Sequence, residues 1–248
     1  PTGETQQADG SAHDGCQRGC LMFWKPEWLR PVSETAETPV DLVQETRARE
    51  RLTTAPTVRD GIYDCQSTTL INASTPLSKW KLGHLVRDVR RGELSVSGLV
   101  GIVHRTLTNL VLRRLGRPEL GMLVGDASPK KKGALKLAPG DWVRVRSLED
   151  IQATLGPDSK NNGLSFEPEM GSYAGRLFQV DGRVERIIHE ETGRMVKLTN
   201  TVTLKDLVCR GSCVKNCPRA NLLYWREAWL ERAEAPNARV EGAAEVAA

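Results

Sequence analysis

The chain has 248 residues, 39% of them hydrophobic and 27% charged, with a formal net charge of +4, a globular composition with enough length for one large or two small cores. No apolar run approaches the roughly 18–20 residues of a membrane span, and no charged, apolar and small-residue leader opens the chain, so a cytoplasmic protein without a membrane anchor is expected. Six cysteines are too thinly spread for a disulfide-stapled miniature fold and read instead as thiols, metal ligands or redox groups.

Pro1 rather than Met opens the sequence, which is the expectation for a chain lacking an upstream part. The first segment repeats near the other end. Shifting the sequence by 201 positions sets CQRGCLMFWKPEWL at 16–29 on CPRANLLYWREAWL at 217–230, with six of fourteen positions identical. Four of the six tryptophans, Trp24, Trp28, Trp225 and Trp229, fall in these two copies at equal spacing, so a duplicated unit is the economical explanation. Leu21, Trp24 and Trp28 stand at i, i+3 and i+7, as do Leu222, Trp225 and Trp229, and this spacing predicts a short amphipathic helix after each Cys-bearing loop. The tryptophans read first as core anchors, because aromatics dominate packing.

Residues 1–30 thus form the first Cys-Trp unit. Residues 31–60, with Pro31, Pro39 and Pro56 among Ser, Thr and Glu, read as a linker of low order holding one charged helical stretch near 44–51. A basic helical connector follows at 61–136: Leu82, Leu85, Val86 and Val89 recur at helical spacing, and Ser95 is placed to cap a helix over 96–115 that Gly116 would stop. Between Lys79 and Lys136 thirteen Lys and Arg face four Asp and Glu, a balance of +9 that leaves −5 for the rest. Such a segment can hold phosphates or an acidic partner, but no recognition motif accompanies the charge, and a solvated helix face with the Lys130-Lys131-Lys132 linker is the favoured reading.

Over 137–208 the period changes to that of strands. Pro139-Gly140-Asp141 turns into the alternating 142–146, Asp181-Gly182 gives a hairpin signal between 177–180 and 184–189, and Glu191-Thr192-Gly193 turns the chain again before 194–198 and 201–208. With a helical insert near 148–155, these short antiparallel strands predict a small SH3-like barrel, and the whole chain reads as α+β. The second Cys-Trp unit spans 209–235, and 236–248, rich in Ala, Glu and Val, reads as a disordered tail. Asn72-Ala73-Ser74 matches a glycosylation sequon, treated as chance in a chain without an export signal.

The cysteines are the strongest candidates for chemistry. His13, Cys16 and Cys20 lie in the first unit and Cys209, Cys213 and Cys217 in the second. Thiolates in a cytosolic chain ligate zinc or an iron-sulfur cluster, each of which takes four Cys or His donors. Either unit alone falls short, so a complete set would borrow Cys65 or be shared between the units. The C-x3-C-x3-C spacing differs from the C-x2-C knuckle. Reduced cysteines packed as small hydrophobes, or a disulfide joining Cys16 to Cys20 or Cys213 to Cys217, are the other readings. Phosphate-binding, dinucleotide, nucleophile-elbow and zincin signatures are missing; the string from His189 to Gly193 stops short of H-E-x-x-H.

Four stretches also carry a resemblance: DGSAHDGCQRGCLMFWKPEWL at 9–29, GDWVRVRSLEDIQATL at 140–155, GLSFEPEM at 163–170 and CPRANLLYWREAWLERA at 217–233. Together they resemble a bacterial group of tandem-repeat proteins, each copy being a G-D-W/L-V-x-V-R-S barrel segment, a Cys-rich turn and a W-x-x-x-W helix. The resemblance implies that the chain is the end of a first copy, a helical connector and a complete second copy. His13, Cys16 and Cys20 match the first copy's turn, with Ala8 where the group has a further Cys, and Cys209 and Cys217 match the second. It implies an architecture and no chemistry. The expectation is therefore a non-enzymatic binding or accessory protein with a protein partner, its cysteines holding zinc or an iron-sulfur cluster. An enzyme with a Cys/His or cluster site between barrel and helices, and a nucleic-acid binder acting through the basic region, are the rivals.

Overall fold

The computed structural model describes residues 10, 13–29, 42–54, 57–75, 82–126, 134–211, 217 and 219–236. Cys213, the lysines 130–132 and residues 237–248 of the expected tail lie outside them. The chain divides into two compact units, one of Pro1–Pro76 with Arg186–Lys197 and one of Leu77–Glu185 with Leu198–Ala248. Among the described residues no helix is long and apolar enough to cross a membrane.

In the first unit, helix α1 (Leu42–Thr54) lies inside the segment expected to be a linker. A two-residue hairpin follows, β1 (Val58–Arg59) with β2 (Ile62–Tyr63), then the short helix α2 (Gln66–Thr69) and a 3-10 turn over Leu70–Ala73.

The second unit begins with α3 (Gly83–Arg90) and α4 (Val96–Arg114). The Ser95 hydroxyl accepts the N–H of Gly98 at 3.0 Å, the capping bond its position predicts. Gly116, at φ +65°, ends the run just past the last turn. Asn109 and Arg113 of α4 then hold the carboxylate of Glu119 and so tie down the loop that follows.

The body of this unit is a curled antiparallel sheet of five strands, a half-barrel. Its strands are β3 (Trp142–Val145), β6 (Leu177–Arg183), β9 (Thr201–Val208), β10 (Leu222–Arg226) and β11 (Leu230–Arg232), in the order β10-β9-β6-β3-β11. Between β3 and β6 come helix α5 (Leu148–Gln152), the small hairpin β4 (Lys160–Asn161) with β5 (Leu164–Ser165), and a 3-10 segment over Pro168–Tyr173. Strand alternation works as expected in β3, where Val143 and Val145 are buried and Arg144 is exposed. The architecture is α+β and barrel-like.

Two local expectations are overturned. Asp181-Gly182 is no hairpin turn: β6 runs through it to Arg183, opposite β9, with a bulge between Val180 and Gly182. The other expected turn, Glu191-Thr192-Gly193, does form a hairpin, between β7 (Arg186–Ile188) and β8 (Met195–Lys197) of the first unit, with Gly193 at φ +65°. The Trp-x-x-x-Trp segments are not helices either. In the second copy, Leu222–Arg226 is strand, Glu227–Trp229 a 3-10 turn and Leu230–Arg232 strand, so the segment builds the sheet instead of packing on it. In the first copy, only Pro26–Trp28 is helical, again as a 3-10 turn. Pro26 itself argues against a helix there, since it lacks the N–H that an interior turn needs.

Of the four tryptophans expected as core anchors, Trp24 and Trp28 are exposed, whereas Trp225 and Trp229 are fully buried. Phe166 meets them edge-on, with ring centroids 6.4 and 5.2 Å away, a favoured aromatic geometry. Glu227 is buried beside them, and its carboxylate accepts the N–H groups of Lys136 (3.0 Å) and Leu137 (3.2 Å) and pairs with Arg183 at 2.8 Å. The buried Arg226 guanidinium donates to the carbonyls of Asn161 (3.1 Å), Asn162 (2.7 Å) and Thr199 and to the hydroxyl of Thr201 (3.0 Å). Burial pulls its pKa down from the usual arginine range.

Candidate functional site

Both Cys loops are built on the same glycine device. Gly10 has φ +77° and Gly211 φ +67°, a region that costs glycine nothing. A Cβ on Gly10 would lie 1.9 Å from the carbonyl oxygen of Cys16, and one on Gly211 2.4 Å from that of Cys217. Each glycine therefore packs flat against the cysteine six positions ahead, at the same 201-residue offset as the repeat.

In the first unit Gly10 folds the loop tightly: its carbonyl accepts from His13 (2.9 Å) and Gly15 (3.0 Å), and the Cys16 N–H returns to the His13 carbonyl at 3.1 Å. Residues 16–18 then dock along β7. Gln17 donates its N–H to the Arg186 carbonyl at 3.0 Å and Ile188 donates its N–H to Cys16 Sγ at 3.3 Å. Arg18 bonds the Ile188 carbonyl at 3.1 Å and pairs with Glu190 at 2.6 Å. From the other side, Tyr63 joins the loop to the hairpins, its hydroxyl donating to Asp14 at 2.6 Å and its N–H to the Gly193 carbonyl at 2.8 Å. The Asp14 bond pushes the Tyr63 phenol above its ordinary pKa. Gln66, at the head of α2, clasps both the N–H and the carbonyl of Phe23 at 2.9 Å.

These contacts enclose a cavity of about 240 Å³ whose walls include His13, Cys16, Cys20 and Cys65. Every histidine and cysteine proposed for the first unit, together with Cys65 from a separate segment, thus faces one space. Cys16 is buried, while Cys20 and Cys65 are half-buried, and all three are free thiols. Cys20 Sγ lies 3.1 Å from the Ser67 hydroxyl, Thr68 Oγ1 donates to Cys65 Sγ at 3.7 Å, and His13 Nε2 is 3.3 Å from the Asp64 carbonyl. Among the described residues no three His, Cys, Asp or Glu side chains are gathered tightly enough to hold a metal ion as they stand. No hydrogen bond among these residues joins His13 to a thiol, so the pairing that would activate a cysteine nucleophile is not made here.

The second copy's cysteines lie in the other unit. The Cys209 N–H continues the β9-β10 ladder to the Asn221 carbonyl at 2.7 Å, and Gly211 donates its N–H to Cys209 Sγ at 3.4 Å. Burial, and then a hydrogen bond to Glu169, push the Cys209 thiol up to about 11; Glu169 also accepts the N–H of Arg210 at 3.2 Å. Desolvation by its surroundings, and then the charge of Glu169 beside it, hold the Glu167 carboxyl above the usual carboxylate range. Cys217 is half-buried. Sequence reasoning missed the two loop glycines, Ser67, and the placing of the β7-β8 hairpin against the first Cys loop. The left-handed glycines had a signal, Gly at equal offset in both copies, whereas the hairpin's place in the first unit is a tertiary fact with none. Comparison with protein-family models, curated proteins and solved structures found no match for this chain.

Proposed function

We propose that the chain is a non-enzymatic binding protein whose first unit holds a zinc ion through His13, Cys16, Cys20 and Cys65. The observation that carries this reading is that all four line one cavity, a Cys3His donor set of the kind structural zinc takes. Binding would turn side chains already facing that space inward. The Ile188 N–H on Cys16 Sγ is the type of outer contact that orients a thiolate ligand and tempers its charge. The same donors suit an iron-sulfur cluster, which the experiment separates. Cys209 and Cys217 stand outside this set, and the high pKa of Cys209 disfavours the thiolate that a metal needs.

We read the second unit as an SH3-like barrel serving as a protein-binding or packing module. Support comes from the sheet order and from the 3-10 turn Glu227–Trp229, which carries the chain from one edge strand, β10, to the other, β11. In keeping with the resemblance to the bacterial tandem-repeat group, the two Cys-Trp segments are copies of one module.

Metal content and cobalt titration of anaerobically purified protein test the proposal. One equivalent of zinc, with cobalt giving the visible bands of tetrahedral thiolate coordination, is expected, and these bands weaken in Cys65→Ser and His13→Ala but persist in Cys209→Ser. Iron with a broad visible band would replace zinc by a cluster. Neither metal at stoichiometry, with no cobalt band, would end the metal reading.

A further inference from the structure

Over 25–29 and 226–230 the two copies of the repeat share one backbone in opposite surroundings. The 3-10 turns Pro26–Trp28 and Glu227–Trp229 occupy equivalent positions. The residues before them, Lys25 (φ −74°, ψ 138°) and Arg226 (−69°, 135°), share one conformation, as do those after them, Leu29 (−108°, 140°) and Leu230 (−121°, 159°). In both turns the following N–H returns to the turn's first carbonyl, Leu29 to Pro26 and Leu230 to Glu227. Yet Trp24 and Trp28 are each 59% exposed and Leu29 58%, where Trp225, Trp229 and Leu230 are all 0%. Residues 25–29 keep the bend of 226–230, which in the other copy is covered by the half-barrel's core, Phe166 and Tyr173 included.

We propose that residues 21–29 are the closing segment of a half-barrel of the same architecture, docking on a three-stranded antiparallel sheet of the β3-β6-β9 type other than the one in this chain. Large exposed aromatics that rest on a preformed backbone are the usual mark of an interaction surface. The sheet of this chain's second unit is the wrong occupant for a chemical reason. Pro26 stands where Glu227 stands, and an exchange would remove the acceptor shared by Arg183 and the N–H groups of Lys136 and Leu137, leaving the buried Leu137 N–H unpaired. Lys25 likewise could not reproduce the multiple guanidinium bonds of Arg226. The fitting partner is therefore a sheet with a Val/Leu inner face and no cation at the Arg183 position.

The test supplies such a sheet in cis. An extension copying residues 134–208 is joined to Ala8, the junction set by the 201-residue offset, in two versions. One carries Arg183→Met in the copied part; the other leaves the copy unchanged and introduces Lys25→Arg and Pro26→Glu. Radical footprinting with mass spectrometry reads oxidation at Trp24 and Trp28 separately from the other tryptophans. Protection of both, by roughly tenfold or more as expected for burial, in either version supports the proposal. Oxidation at the unextended chain's rate in both versions overturns it. So does concentration-dependent protection in the unextended chain, which would make the occupant a second copy.

Discussion

The repeat provides its own control for the energetics of burial. Trp229 is fully buried, its indole N–H donates to the Thr154 hydroxyl at 3.1 Å, and its ring meets Phe166 edge-on at 5.2 Å. A buried aromatic hides about 150–250 Å², which at about 25 cal/mol per Å² is about 4–6 kcal/mol; residual compactness of the unfolded chain trims this to about 3–5 kcal/mol for Trp229→Ala. Trp28 is 59% exposed and has Lys25 Nζ 5.8 Å over its ring, an exposed cation-π contact of about 0.5 kcal/mol. Trp28→Ala should therefore cost about 0.5 kcal/mol, against at least ~3 kcal/mol for Trp229→Ala, a difference of about two decades in the unfolding constant. Urea unfolding, followed by near-UV circular dichroism and compared at constant m-value, measures both. Costs equal to within about 1 kcal/mol would mean that Trp28 is packed in solution and that the contrast between the copies is false.

Three titratable groups of the second unit yield further outcomes. Glu227→Gln leaves Arg183 and two backbone N–H groups competing for one oxygen, and with Arg183 partly exposed the cost is about 2–3 kcal/mol, read from the same urea curves; a loss under ~0.5 kcal/mol refutes the network. Cys209 should be alkylated with a pH midpoint near about 11, falling in Glu169→Gln, as peptide mass spectrometry would show; because the folded pKa is the raised one, the stability this thiol contributes is complete below the ordinary thiol pKa and fades as pH rises through about 11. Asp141 has the opposite sign: the Ala138 N–H and then Arg232 hold its carboxylate below the usual range, so its contribution is present above the unfolded pKa and lost as pH falls through the lowered one. Acid titration of Asp141→Asn should show a shallower loss of stability than the parent, and an unchanged slope would remove the assignment.

Legibility followed how local each determinant is. The start of α4 could be read from Ser95 and its stop from Gly116, because capping is settled within one helical turn. β9 could be read from its β-branched run, and the β7-β8 turn from Gly193. The Trp-x-x-x-Trp segments could not: the i, i+3, i+7 pattern is satisfied equally by a strand, a 3-10 turn and a second strand that swing Trp225 and Trp229 into one core. Only Pro26 in one copy, and the adjacent Tyr224-Trp225 in the other, hint at the outcome. Asp181-Gly182 misled for a related reason. Gly182 lies opposite Thr203 within a bulged ladder, where sheet pairing overrides the turn tendency of the dipeptide. The cavity combines both cases. The glycine-cysteine loops are local and repeat, while the approach of Cys65 and of the β7-β8 hairpin is set by long-range hydrogen bonds through Tyr63, Gln66 and Arg18.

The two units are also held together by different means, and this bears on what the cavity is for. In the second unit a contiguous cluster, including Val143, Val145, Phe166, Trp225, Trp229 and Leu230, is buried. In the first, the buried apolar side chains among the described residues are Cys16, Tyr63, Ile187 and Ile188, and polar bonds to Asp14, Gln66 and Arg18 do much of the joining. A unit with so thin a core gains more of its stability from anything that binds the folded form alone, about 2.7 kcal/mol at a hundred times the dissociation constant. The four donors on the cavity wall come from two places, the loop at 13–20 and the residue capping α2, and the β7 edge holds Cys16 Sγ from a third. An ion bound there would tie those separate segments together, so the first unit's need for cross-linking and its collection of thiols and imidazole are explained by the same occupant.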